Sequence, residues 1–131
     1  MFNFFKRNKK YPSFEALKQY DKQYGYFIRT AQWDWLDKEN IFVIDRSNPR
    51  VLTLDPWHQI IFIAADGQRT VTDYILYVAE KYTGEIPGML DATIINELNT
   101  LQEYGIITFV ETKQRPELKY DLPTNRKDND S

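Results

Sequence analysis

A chain of 131 residues with 17 basic and 19 acidic side chains has a net charge of −2, so it has no global pull toward nucleic acid or an anionic membrane surface. It contains no cysteine, which excludes disulfides, zinc–thiolate centres and thiol catalysis, and no apolar run long enough to span a bilayer. The length suits one domain with a real core and tails, and the start, MFNFFKRNKK, has no signal-peptide apolar region, so a cytoplasmic protein is expected.

In that start, Phe2, Phe4 and Phe5 precede Lys6, Arg7, Lys9 and Lys10. We read it as a solvated terminus in preference to a membrane or acidic-partner contact. Residues 13–24 predict a short helix, capped by Ser13, with Phe14, Leu17 and Tyr20 on one face and Gly25 ending it. Residues 26–36 suit a kinked strand, 41–44 a second and 50–54 a third, because aromatic and β-branched residues favour a pleated surface. DRSNP between the last two is turn chemistry, so three antiparallel strands are expected.

Asp55 and Pro56 predict the start of a helix whose inward stripe is Trp57, Ile60, Ile61 and Ala64, closed by Gly67. Thr70 and Asp73 suggest a capping box ahead of a second helix carrying Val71, Tyr74, Ile75, Val78 and Tyr82. TGEIPG breaks it. Asp91 predicts the cap of a third helix, with Ile94, Ile95, Leu98 and Leu101 inward and Gly105 at its end, followed by a strand over 106–111. The expected fold class is therefore α+β and winged-helix-like: a small antiparallel sheet, three helices and a short terminal strand. The chain divides into an N-terminal segment (1–25), a domain (26–111) and a polar tail (112–131) expected to be flexible or loosely draped.

The sequence carries no enzymatic signature. His58 is the single histidine, which rules out a His-pair metal site, and it is expected on the exposed side of its helix. Asp34, Asp37 and Glu39 lack EF-hand spacing and read as a solvated turn. No phosphate loop or dinucleotide fingerprint occurs, so neither catalysis nor a cofactor is expected.

The stretch LDPWHQIIFIAADGQRTVTDYILYVAEKY, with INELNTLQEYGII further on, resembles the PqqD-like family, the recognition elements of ribosomal peptide-modifying systems. The likeness lies in the turn Asp66-Gly67-Gln68-Arg69-Thr70-Val71 opening a helix, and in Leu98, Leu101, Gly105, Ile106 and Ile107. It runs from Leu54 to Ile107, and departs from the family pattern at Asp55-Pro56-Trp57-His58 and at Glu97. The resemblance implies a module that binds the leader of a precursor peptide and presents it to a modifying enzyme, often a radical enzyme. It places the peptide beside the strand Arg50, Val51, Leu52 and Thr53, against a helix side of Ile94, Glu97, Leu98 and Leu101. Leu98 and Leu101 also read as plain core.

Two other classes compete with that reading. A winged-helix DNA reader needs Lys and Arg on its third helix, and DATIINELNTLQEY has no basic residue and three acidic ones, so no nucleic-acid partner is expected. A structural protein could pair through its sheet edge, as a homodimer does.

Overall fold

The computed structural model describes residues 10–45 and 50–124. The expectations for the aromatic and basic start, for the turn at 46–49 and for the last seven residues lie outside the described residues. The chain is α+β, and its described strands form two three-stranded antiparallel sheets.

The opening helix, α1, covers only Glu15–Gln19, less than the 13–24 expected from the sequence. Ser13 does not cap it: Phe14 occupies the N-cap position with φ 54° and no side-chain cap bond forms. The chain leaves the helix at Tyr20 because the carbonyls that follow have other work. Gln23 O accepts from Thr72 N at 2.9 Å and Gly25 O from Val71 N at 3.0 Å, satisfying two of the orphan N–H groups of a later helix.

The strand expected over 26–36 is two strands in different sheets, β1 (Tyr26–Arg29) and β2 (Trp33–Trp35). β2 pairs with β3 (Ile41–Asp45), which pairs with β4 (Arg50–Thr53), giving the order β2-β3-β4. β1 joins a second sheet with β5 (Asp66–Thr70) and β6 (Ile107–Val110), in the order β5-β1-β6.

The expected turn DGQRT is thus a strand, and Gly67 does not close the preceding helix. That helix, α2 (Pro56–Ala64), ends with Ala65 as its C-cap. Gly67 lies inside β5 at φ 75°, where a Cβ would fall 1.7 Å from Gln114 O, so only glycine fits. The inward stripe of α2 is also shifted by one residue. Ile61, Phe62 and the following Ala65 are buried, Trp57 and Ala64 are half-buried, and Ile60 is 55% exposed. A stripe through 61, 62 and 65 extends backward to His58.

Helix α3 (Val71–Glu80) opens on a complete capping box: Thr70 Oγ1 accepts from Asp73 N, and Thr70 N donates to Asp73 Oδ2. Helix α4 (Leu90–Glu103) buries Ile94, Ile95, Leu98 and Leu101. It ends as a Schellman motif, with Gly105 at φ 77°, Gly105 N donating to Gln102 O and Ile106 N to Leu101 O. Asp91 is not its cap. Met89 is the N-cap, and Asp91, 2% exposed, accepts from Leu17 N at 2.9 Å. A buried α1 N–H needs that acceptor, and Tyr20 OH donating to Asn99 Oδ1 makes a second tie to α4. The N-terminal segment therefore shares one core with the rest, running from Phe14 and Leu17 to Ile107.

The C-terminal segment, expected to be a flexible or draped tail, is pinned through residue 124. Gln114 N donates to Gly67 O, Pro116 is buried, and a short helix, α5 (Leu118–Asp121), lies against Arg29 and Trp33.

Asp91→Ala leaves the buried Leu17 N–H without an acceptor. We predict a loss of about 1–3 kcal/mol, read as a lower denaturant midpoint with an unchanged slope.

Candidate functional site

Strand register decides which backbone groups of the β2-β3-β4 sheet face outward. Ile44 N donates to Gln32 O at 2.8 Å, so Phe42 and Ile44 turn their polar groups toward β2, and Val43 and Asp45 turn theirs toward β4. The partners across β4 are Leu52 for Val43 and Arg50 for Asp45. Arg50 and Leu52 therefore spend their backbone groups on β3, while Val51 and Thr53 aim theirs away from the sheet.

β2 has the same alternation, with Trp33 and Trp35 facing outward, but its edge is occupied. Thr124 N donates to Trp33 O at 2.8 Å, and Thr124 Oγ1 donates to Asp34 Oδ2 at 2.7 Å. Trp35 N is taken by its neighbour's carboxylate, Asp34 Oδ1, at 2.8 Å. At the β4 edge no partner among the described residues meets Val51 or Thr53 N–H. Val51 is 60% exposed and Thr53 is exposed beside it on one face, while Leu52 points to the other face and packs on the core.

The helix side of the expected site fares differently. Ile94, Leu98 and Leu101 are each 0% exposed, so they are core and no docked peptide can touch them. Glu97 alone of that set reaches the surface, and its carboxylate faces α2. Glu97 Oε1 lies 2.6 Å from His58 Nε2, and Asp55 Oδ2 lies 3.0 Å from His58 Nδ1. His58 is not on the exposed side of its helix: its side chain is 16% exposed, and its ring also meets Tyr104 edge-on. The one-residue shift of the α2 stripe carries this signal, because it turns His58 toward α4.

The expected solvated acidic turn does not include Asp34, which is buried in β2, and Asp37 is spent on the backbone of the turn itself. Asp37 Oδ1 accepts from Glu39 N and Asn40 N at 2.8 Å each, and these bonds hold its carboxyl below the usual range. Gln59 then fastens α2 to the sheet: its Oε1 accepts from Ile41 N at 2.9 Å, and its Nε2 donates to Glu39 O.

Among the described residues no helix is long and apolar enough to cross a membrane. No protein-family model, no curated protein and no solved structure matches the chain.

Leu98 separates core from surface. Leu98→Ala should cost about 2–5 kcal/mol in denaturant melts, because it empties a fully buried position between packed helices. A cost under about 0.5 kcal/mol would mean that the α4 stripe is misplaced.

Proposed function

We propose that this chain is a non-catalytic peptide-binding module in which an extended partner segment adds to β4 as a fourth strand of the β2-β3-β4 sheet. The observation that carries this reading is the contrast between the two edges. The chain's own C-terminal segment occupies the β2 edge, and the outward N–H and C=O groups of Val51 and Thr53 meet no partner among the described residues. Unpaired strand edges are where extended peptides gain main-chain bonds, with side chains alongside supplying selectivity. Here Val51 offers an apolar contact on the face it shares with Thr53.

The resemblance of Leu54–Ile107 to PqqD-like proteins supplies the class of peptide: the leader of a precursor, held for a modifying enzyme. The composition of α4 supports a protein ligand over a phosphate backbone. LDATIINELNTLQE has no basic residue, and a nucleic-acid reader draws its affinity from Lys and Arg.

The test uses proline at an outward position. Thr53→Pro removes an N–H that faces away from β3, so the β3–β4 ladder survives, as prolines on sheet edges allow. Binding of a synthetic leader peptide that the parent chain binds should weaken about five- to tenfold, the worth of one hydrogen bond with its strand geometry. The melting temperature should stay within a few degrees. Amide shifts in an NMR titration should centre on residues 50–54. Shifts confined to α1 or the C-terminal segment, or an unchanged affinity in Thr53→Pro, would remove the site from β4.

A further inference from the structure

We infer that His58 and Glu97, oriented by Asp55, bind a divalent transition-metal ion of the zinc class. The inference rests on side chains of α2 and α4 and is independent of whether a peptide docks on β4. Asp55 has two jobs. Its Oδ1 accepts from His58 N at 2.9 Å and caps α2, and its Oδ2 lies 3.0 Å from His58 Nδ1. A carboxylate at Nδ1 favours the tautomer that carries its proton there, and leaves the Nε2 lone pair facing the other way.

What Nε2 faces is Glu97 Oε1, at 2.6 Å. Two lone-pair acceptors do not sit that close unless a positive charge lies between them, either a proton or a metal ion. The geometry points to the metal. Glu97 Oε1 is closed to solvent and accepts no aligned hydrogen bond, although the imidazole nitrogen is at ion-pair distance. No Lys or Arg pairs with Asp55 or Glu97 among the described residues, so their charge has no other counterion there.

The donor set selects the ion. One ligand atom from each of Asp55, His58 and Glu97 lies within 4.8 Å of the other two, and imidazole with carboxylate suits zinc, cobalt or nickel. Calcium and magnesium prefer shells of oxygen alone. The roles divide as they do in metal sites generally: His58 Nε2 and Glu97 ligate, and Asp55 fixes the ring through Nδ1. At bond lengths of about 2.0–2.2 Å the two ligand atoms spread to about 3.3 Å, a small movement for the partly exposed Glu97 side chain. Water fills the remaining positions. The bound ion then clamps the start of α2 to the middle of α4.

The sole histidine makes the test unambiguous. The full chain is titrated with Zn2+ while the His58 ring nitrogens are followed by NMR. One equivalent should shift Nε2 far more than Nδ1 and raise the melting temperature, and Mg2+ should do neither. Asp55→Asn, which keeps a helix cap, should weaken binding roughly tenfold or more, and His58→Ala should abolish it. Glu97→Gln keeps shape and loses the anionic ligand, so it too should lose binding. The inference is overturned if excess Zn2+ leaves the His58 signals in place, which would mean that a proton alone bridges the pair. It is equally overturned if Zn2+ binds His58→Ala or Glu97→Gln as tightly as the parent chain.

Discussion

The arrangement depends on one buried cation. Arg29, on β1, is 4% exposed, and all five of its N–H donors are used. Nη1 donates at the end of α2 to Phe62 O at 3.2 Å, which also accepts from Ala65 N, and to Ile63 O at 2.7 Å, a carbonyl that meets no backbone donor among the described residues. Nε donates to Tyr120 O, and Nη2 to Asp121 O and Asp121 Oδ1. The guanidinium also lies against the rings of Trp33 and Phe62. Burial pushes its pKa below the ordinary arginine value, and Asp121 works against that shift, so the charge is held by a partner it cannot lose cheaply. One side chain thereby fixes a helix end, a sheet and the C-terminal segment to each other.

The asymmetry of the β2-β3-β4 sheet follows from that anchor. Tyr120 O also accepts from Trp33 Nε1 at 2.9 Å, which seats the segment over β2 and delivers Thr124 to the β2 edge. Open edges are liabilities that folded chains usually cover. This chain covers one with its own backbone and leaves β4, four residues long, uncovered among the described residues. The proposed peptide site is where no described residue supplies the same kind of cover.

The legible parts of this fold are those whose signals are local. Asp55-Pro56, the Thr70/Asp73 pair and Gly105 each satisfy orphan groups within one turn of a helix, so their spacing in the sequence is sufficient. β5 was not legible, because Asp-Gly-Gln-Arg-Thr has poor strand propensity and becomes a strand only through pairing with β1. Asp91 looked like a cap for a comparable reason: the residue type fits, but its true partner is Leu17 N, at the far end of the chain. At the candidate site the strand was readable from its β-branched pattern. Its openness was not, because that depends on where Thr124 goes. The burial of Ile94, Leu98 and Leu101 left the helix side with Glu97 alone, and its partner His58 was hidden by a stripe set one residue out of phase.

Val51 and Thr53 present backbone groups that meet no partner among the described residues, while those of Leu52 are paired with β3. Amide hydrogen exchange on the unliganded full chain tests it directly. Our account predicts fast exchange at Val51 and Thr53, close to that of an unstructured chain, on either side of a protected Leu52. Protection at Val51 and Thr53 as strong as at Leu52 would contradict it, since the β4 edge would then be covered.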